Sequence, residues 1–409
     1  MNGSVIKHNK KMSYSQKPKV PLIKNAFIEN KKTKSALADF IIHTEKLSMG
    51  EQCLAFEKAF ALKQGRREGI LFNSGASANL AMFQALKNLG RLKNGDAVGF
   101  SALTWSTNIM PIIQMGLKPI AIDCDINTLN VMSHNIEERL AQVKLNAFFV
   151  TNVIGFAGNL HKIKEICAKN NILLIEDNCE SLGTELHQGK TGNFGLGSSF
   201  SFYVAHHMST IEGGMVCTND SEFAGMLRIT RANGWDRNLN TEQQIKWRKK
   251  CQIDEFEAKF TFYDLAFNFR PTEITGFLGL YQLQFLDKNI KTRENNFLQI
   301  EKIIKQNNDL ILLERNHITT LSSFSIPVVC KNRVLHDKYV ARFIDAGIEI
   351  RPMIAGNMQK QPFYKKYVKK IFPLPNTDFL HANSFYCGNC PDYTKKELAI
   401  IISCLENKK

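Results

Sequence analysis

Two adjacent histidines occupy the stretch SSFSFYVAHHMSTIEGG at residues 198–214. His206 and His207 follow a run of hydroxyl and aromatic residues typical of a strand, and precede a Glu-Gly-Gly turn. The pKa of an imidazole lies near neutrality, so this side chain is well suited to accept and return a proton at physiological pH. Either histidine is therefore a candidate general base, with the other as a structural or orienting neighbour. The alternative for His206 is an imidazole with only a structural or phosphate-contacting role.

A second candidate site is the sequence NSGASANL at residues 73–80, which follows the apolar run GILF. Small residues, Gly75 and Ala76 among them, begin a helix-like pattern here. Free backbone N–H groups and the helix dipole make such a helix start an anion site, and a phosphate is its natural ligand. A capped helix without any ligand would have the same local sequence.

Carboxylates follow the apolar residues of LLIEDNCES at residues 173–181. In open α/β sheets, ligands bind beyond the carboxyl ends of the strands, where Asp177 and Glu180 would lie. A carboxylate in this position can hold a protonated ring nitrogen, as it does in enzymes that use pyridoxal phosphate (PLP). Taken alone, either acid could equally be a helix cap.

The elements around these residues predict an α/β fold. Short apolar strands alternate with helical patterns, which indicates a mostly parallel sheet covered on both faces. We expect a basic, flexible leader over residues 1–18, a large domain over 19–265 and a smaller α+β domain over 266–409. The polar stretch 238–259 is predicted as a long loop or lid.

Composition and charge exclude some classes of protein. The chain has 409 residues, and no apolar run approaches the roughly 18 residues of a membrane span. We recognise no secretory signal, and ten scattered cysteines are expected to be reduced and mostly buried in a cytoplasmic protein. The pair Cys387 and Cys390 has CxxC spacing but no further ligands nearby, so no metal is expected.

Positive charge is concentrated near the N-terminus. Residues 1–35 contain nine lysines and one acid, Glu29. Such a run is expected to be a solvated leader, and the alternative is a tail that binds nucleic acid or another anionic surface. We predict no nucleic-acid partner.

The histidine stretch closely resembles a known family. Ser201 lies five residues before His206, and Glu212 lies six after it. These spacings match the Ser-x4-Lys-x5-Glu-Gly-Gly pattern of the DegT/StrS family of nucleotide-sugar aminotransferases, with His206 in the position of the lysine that binds PLP. Other matching stretches, such as LLIEDNCESLGTE and FNFRPTEITGFLGLYQL, extend the resemblance over roughly residues 20–360. The chain is most similar to the small branch in which histidine replaces lysine.

The resemblance implies a fold-type I PLP-dependent transferase, with a mostly seven-stranded mixed sheet and a smaller C-terminal α+β domain. It implies a homodimer with shared active sites. It also implies roles for individual residues: Trp105 stacks on the cofactor ring, Asp177 holds the pyridine nitrogen and Glu180 lies near the ring hydroxyl. Gly75, Ala76 and Ser201 hold the phosphate, which Asn268 reaches from the other subunit. Arg237 and Arg351 bind the sugar nucleotide or the glutamate carboxylate.

The activity implied by the branch is a dehydration that uses PLP, its amine form PMP and L-glutamate. His206 cannot form the covalent link that a lysine forms, so it would act as the base that moves a proton during loss of the C3 hydroxyl. The substrate expected is a nucleotide-linked 4-keto-6-deoxy sugar, GDP-4-keto-6-deoxy-D-mannose above all, on a route to a 3,6-dideoxy sugar such as colitose. Another CDP-, UDP- or GDP-linked ketosugar, including a heptose, would allow the same chemistry. The sequence also leaves open an aminotransferase and an inactive scaffold that binds PLP.

Two departures qualify the resemblance. A sister dehydrase uses an iron–sulfur cluster held by cysteines in the loop after the histidines, where this chain has only Cys251. A cluster needs about four thiolates, so none is expected. The branch member that this chain resembles also has a histidine where this chain has Asn233, which bears on the identity of the sugar and could alter proton delivery at C3.

Overall fold

The computed structural model describes residues 17–407. Residues 1–16 of the predicted basic leader lie outside the described residues. The strands are β1 Glu68–Phe72, β2 Ala97–Ser101, β3 Lys118–Ile122, β4 Ala147–Thr151, β5 Leu173–Asp177, β6 Glu185–Leu186, β7 Gly189–Lys190, β8 Gly197–Ser201, β9 Gly214–Thr218, β10 Ile318–Thr320, β11 Ser325–Val329, β12 Ile350–Pro352 and β13 Ser384–Gly388.

Helices cover the sheets and connect their strands. The α-helices are α1 Asn30–His43, α2 Glu51–Gln64, α3 Gly75–Asn88, α4 Met110–Gln114, α5 Ser133–Leu140, α6 Leu160–Lys169, α7 Ser221–Arg231, α8 Thr241–Cys251, α9 Glu273–Leu283, α10 Leu286–Lys305, α11 Arg333–Asp345, α12 Pro362–Tyr367, α13 Pro375–Asn383 and α14 Lys395–Leu405.

The main sheet has seven strands in the order β1-β9-β8-β5-β4-β2-β3. Its strands are parallel except for β9, which runs antiparallel to both β1 and β8. Most of its residues are buried, as the apolar runs in the sequence require of a sheet covered on both faces. The predicted fold class, with its seven-stranded mixed sheet, is confirmed.

A smaller antiparallel sheet, in the order β11-β13-β12, lies in the C-terminal part of the chain. It packs with α11 and α14 around a second apolar core that includes Phe343 and Phe385. The first described segment also joins this part, because Val20 forms a parallel bridge with Ile348. The backbone N–H of Leu22 donates to Glu349 Oε2 at 3.0 Å.

The polar stretch 238–259 contains helix α8 rather than only a long loop. Asn240 caps this helix by accepting from the Gln243 N–H at 2.8 Å. None of the α8 residues is buried. The loop prediction was wrong because it depended on apolar periodicity, which a mostly polar surface helix does not need. Trp247 of α8 is partly buried against the main core. The lid alternative stays a prediction.

No helix within residues 17–407 is long and apolar enough to cross a membrane. Within the same range, no group of three or more His, Cys, Asp or Glu side chains is arranged to hold a metal ion. Cys387 and Cys390 are both buried free thiols.

Candidate active site

A cavity of about 330 Å³ lies at the carboxyl ends of the central strands. Strand β5 ends with Asp177 and strand β8 with Ser201, so their parallel pairing brings the following loops to one edge of the sheet. Seven of the predicted site residues line this cavity: Gly75, Ala76, Trp105, Asp177, Glu180, Ser201 and His206.

The start of α3 forms an anion cradle in this cavity. Ser74 caps the helix by accepting from the Ser77 N–H at 3.1 Å. The backbone N–H groups of Gly75 and Ala76 have no hydrogen-bond acceptor within residues 17–407. Free N–H groups at the positive end of a helix bind an anion such as phosphate. The cavity therefore contains the donors that a phosphate group requires.

Close packing explains the glycines on either side of this cradle. A Cβ on Gly75 would lie 2.8 Å from the Cβ of Ser201. A Cβ on Gly214, in the Glu-Gly-Gly turn, would lie 2.3 Å from the carbonyl oxygen of Ser74. Any larger residue at either position would force the cradle and strands β8 and β9 apart.

Asp177 is held as an oriented carboxylate. It is 4% exposed, and its Oδ2 accepts from Asn79 Nδ2 and from Asn108 Nδ2, both at 2.8 Å. Its Oδ1 accepts from the backbone N–H of Cys179 at 2.9 Å. A buried carboxylate with this donor set suits a cationic N–H group of a ligand, such as a protonated pyridine nitrogen.

Glu180 behaves differently from Asp177. Burial, together with the nearby Asp177 charge, raises the Glu180 pKa from its ordinary 4.5 to about 8, although its Oε2 accepts from the Ile154 N–H at 2.8 Å. A protonated Glu180 can donate a hydrogen bond to an oxygen atom of a ligand. Glu176 has a structural role, because its carboxylate accepts from three backbone N–H groups of the loop Gly192–Gly195.

His206 presents a neutral imidazole to the cavity. Its Nδ1 lies 2.6 Å from the carbonyl oxygen of Cys179. Since a carbonyl can only accept, Nδ1 carries the proton and Nε2 carries the lone pair. Nε2 has no hydrogen-bond partner among the described residues. Burial lowers the His206 pKa to about 4, so Nε2 is a free base at neutral pH.

His207 points away from this cavity. It is 1% exposed, and its Nε2 lies 2.9 Å from the Ser322 carbonyl oxygen, so Nε2 carries the proton. Burial keeps its pKa well below the ordinary range. The contacts of His207 are those of a structural residue.

The aromatic residues and the C-terminal part complete the walls. Trp105 is 56% exposed and offers a free ring face at the cavity. Phe324, Ile354 and Tyr386 line the opposite side, and sequence reasoning missed all three. They are apolar or aromatic residues of the C-terminal part, and nothing in their local sequence distinguishes them from core residues.

Three predicted residues lie outside this cavity. Asn268 and Arg237 line a separate cavity of about 480 Å³, which shares no lining residue with the first. Arg237 packs over the Trp235 ring, 4.0 Å from its centroid. Arg351 is half-exposed and pairs with Glu349 at 2.5 Å. A single copy of the chain therefore does not bring these three to the seven residues of the main cavity.

Comparison with known proteins agrees with this geometry. Residues 29–406 match the model of the DegT/DnrJ/EryC1/StrS aminotransferase family. The GDP-4-keto-6-deoxy-D-mannose 3-dehydratase of Escherichia coli O55:H7 is 32% identical over 353 residues, which cover 85% of this chain and 90% of that protein.

Two solved structures are similar over almost the whole chain. The E. coli GDP-4-keto-6-deoxy-D-mannose-3-dehydratase with bound hydrated PLP superposes with a TM-score of 0.87 at 30% identity, covering 96% of this chain and all of that one. A structure of GDP-4-keto-6-deoxymannose-3-dehydratase with a trapped PLP-glutamate geminal diamine has a TM-score of 0.86 at 30% identity, with 95% and 100% covered. Together with the anion cradle and the oriented carboxylate of Asp177, these matches show that the chain belongs to the DegT/DnrJ/EryC1/StrS family and is a PLP-dependent sugar enzyme.

Proposed function

We propose that this protein is a 3-dehydratase that removes the C3 hydroxyl of a nucleotide-linked 4-keto-6-deoxy sugar, with GDP-4-keto-6-deoxy-D-mannose as its substrate and L-glutamate as co-substrate. The observation that carries this proposal is the free Nε2 of His206 at the cavity, in the sequence position where lysine is expected. No lysine lines the cavity in the described part of the chain.

The residues of the cavity fit PLP and its amine form. The free N–H groups of Gly75 and Ala76, with Ser201, would hold the phosphate. Asp177 would pair with the ring nitrogen, and Trp105 would cover the ring. When bound, the cofactor supplies an electron-withdrawing ring that stabilises negative charge on a neighbouring carbon.

The protein itself must move a proton. Nε2 of His206 accepts a proton at the start of dehydration and returns it to the departing C3 hydroxyl, which leaves as water. Protonated Glu180 would donate a hydrogen bond to a ligand oxygen. Over the whole reaction, glutamate is oxidised to 2-oxoglutarate by two electrons, C3 of the sugar is reduced by two electrons, and ammonia is released.

We further propose that the active protein is a homodimer. Asn268 and Arg237 lie in a cavity apart from the main site, together with the cations Lys46 and Arg270. An aromatic and cationic surface of this kind suits an anionic substrate such as a nucleoside diphosphate. In a dimer, this surface would complete the site of the other subunit, and Arg351 would approach the substrate from its own subunit.

An aminotransferase is the second candidate, because the matching family carries that description. Aminotransferases of this type use a lysine that binds PLP covalently. Lys190, the nearest upstream lysine in sequence, donates to the Lys63 carbonyl oxygen at 2.7 Å and does not line the cavity. The site therefore favours dehydration over transamination.

The test is a product assay on the purified protein with PLP, glutamate and GDP-4-keto-6-deoxy-D-mannose. Dehydration gives ammonia, 2-oxoglutarate and a sugar nucleotide one oxygen lighter. An aminated sugar without ammonia would make the protein an aminotransferase. If the protein did not convert this sugar but dehydrated a CDP- or UDP-linked ketosugar, the GDP specificity would be refuted and the reaction type would stand.

The matched variant is His206→Asn. Its amide can still donate to the Cys179 carbonyl oxygen, but it lacks the basic Nε2. We expect ammonia release to fall by at least about 100-fold, the usual contribution of a positioned base, while the absorbance of bound PLP persists. Dehydration at the wild-type rate would contradict the role of His206.

A further inference from the structure

A buried polar network lies behind the histidine turn, on the side away from the active-site cavity. Asn289 and Arg293 stand one turn apart on α10, so they share one face of the helix. Arg293 Nε donates to Asn289 Oδ1 at 2.8 Å. The Asn289 amide in turn donates to the backbone carbonyl of His207. The side chain of Asn289 therefore bridges α10 to the histidine turn.

Arg293 anchors this bridge. It is 5% exposed, and its Nη1 donates to the carbonyl oxygens of Phe324 and Asn389, both at 2.8 Å. None of its hydrogen-bond partners in the described chain is a carboxylate. A buried cation that is not hydrogen-bonded to a carboxylate is costly, and its remaining hydrogen bonds must be complete for the fold to tolerate it. The network consequently fixes Asn289 and the backbone near Phe324 in one arrangement.

The same network surrounds the imidazole of His206. The Phe324 ring packs against it with a centroid distance of 5.1 Å. His207 is held at both its side chain and its carbonyl, by Ser322 and Asn289. The Phe324 ring therefore packs against the His206 imidazole, while the carbonyl oxygen of Cys179 fixes its Nδ1.

Without this support, the turn would have room to move. A second cavity of about 100 Å³ lies on this side, and His206, His207, Asn289 and Arg293 are among the residues that line it. Space for a few water molecules is enough for the turn to shift backward. A displacement of 1 Å at a reacting group can reduce a rate by about 100-fold.

We propose that Asn289, held by Arg293, is a positioning residue for His206. The inference rests on the proposed function, in which His206 is the base. A lysine bound to PLP is held by its covalent bond, whereas a histidine in that position depends on its neighbours for its placement. The bridge from α10 supplies this placement.

The test is the near-isosteric variant Asn289→Asp. A carboxylate at this position still accepts from Arg293 and neutralises the buried cation, so the fold is expected to persist. It cannot donate to the His207 carbonyl, and the two oxygens repel each other. The matched control is Asn296→Asp, a buried amide two turns further along the same face of α10, which contacts Asn389 and not the histidine turn.

The first readout is the single-turnover conversion of bound PLP to its amine form by glutamate, followed by absorbance. This half-reaction moves a proton through the same base and needs no sugar. We expect Asn289→Asp to lower its rate constant by about 10- to 100-fold, with an unchanged apparent Kd for glutamate, because the base is misplaced and the binding groups are not. Asn296→Asp should remain within about twofold of the wild type.

The second readout is amide hydrogen exchange of the protein without added glutamate or sugar. In the wild type, the Thr210 N–H donates to the Phe202 carbonyl oxygen at 2.9 Å and closes the turn. Asn289→Asp should accelerate exchange within residues 202–210, with little change in the central strands. Asn296→Asp should leave this segment protected.

The possible results distinguish the positioning role of Asn289 from the proposed dehydratase function. A wild-type half-reaction rate and unchanged exchange in Asn289→Asp would overturn the positioning role, whatever the sugar product. Equal losses in Asn289→Asp and Asn296→Asp would also overturn it, because the effect would then follow from any buried carboxylate on this face. A third outcome is that the wild type converts PLP with glutamate but dehydrates no sugar, while Asn289→Asp slows the conversion of PLP. This result would refute the proposed function and preserve the positioning of His206.

Discussion

The protonation state of Glu180 can be tested by its effect on stability. Its pKa of about 8 in the folded protein compares with an ordinary value of 4.5, and burial is the main cause. Between these two values, the unfolded chain has an ionised Glu180 while the folded chain holds a proton there. Stability therefore decreases as pH rises through this window, by about 1.4 kcal/mol per unit. The variant Glu180→Gln has no ionisable group and escapes this loss.

The window from pH 6.5 to pH 8 isolates this effect. His206 contributes with the opposite sign, because its folded pKa of about 4 lies below its ordinary 6.5, but this contribution is common to Glu180→Gln and wild type and cancels from their difference. Over 1.5 pH units, the stability of Glu180→Gln relative to wild type should therefore rise by about 2 kcal/mol. The glutamine also retains an oxygen that can accept from the Ile154 N–H.

The assay is urea denaturation of the cofactor-free protein at both pH values and one protein concentration, so that any association is held constant. Glu165→Gln, which removes an exposed carboxylate on α6, is the matched control and should show no such pH dependence. If the difference between Glu180→Gln and wild type were the same at pH 6.5 and pH 8, Glu180 would have one charge state throughout. It would then be ionised in the folded protein and unable to donate a hydrogen bond to a ligand.

Two further predictions concern the cofactor site. Asp177→Asn places an amide among the donors of Asn79 and Asn108, so PLP affinity should fall by at least about 10-fold in an absorbance titration, while a fall of less than twofold would exclude a charged partner for Asp177. Gly214→Ala places a methyl group against the Ser74 carbonyl oxygen and should lower the free energy of unfolding by about 1–3 kcal/mol and weaken PLP binding. Wild-type stability and affinity in this variant would contradict the close approach of the two loops.

The parts of the site that sequence predicts well are those with a local signal. Gly75 follows a strand and begins a helix, and Asp177 ends a buried strand, so each position is determined by a few neighbouring residues. The alternation of such units predicts a mostly parallel sheet covered on both faces, whereas the seven strands and their mixed direction are implied by the family resemblance. The histidine turn was identified from the spacing of Ser201, His206 and Glu212 around it.

The parts that were missed depend on contacts between distant segments. Tyr386 and Phe324 enter the cavity only because the C-terminal part packs against the central sheet. Asn289 and Arg293 did carry a signal, because they stand on the buried face of α10 between Leu286 and the later apolar positions. Polar residues on an apolar stripe indicate a buried network, but the sequence does not show which backbone that network holds.

The contact between the two ends of the described chain has a consequence for synthesis of the protein. The segment around Val20 emerges from the ribosome long before its partners, since Leu22 and Glu349 are 327 residues apart and Lys24 and Glu397 are 373 apart. Contacts of such high sequence separation form late and slowly. The residues around Val20 therefore lack these partners until the segments that contain Glu349 and Glu397 have been translated, and only then can they pack against the small sheet.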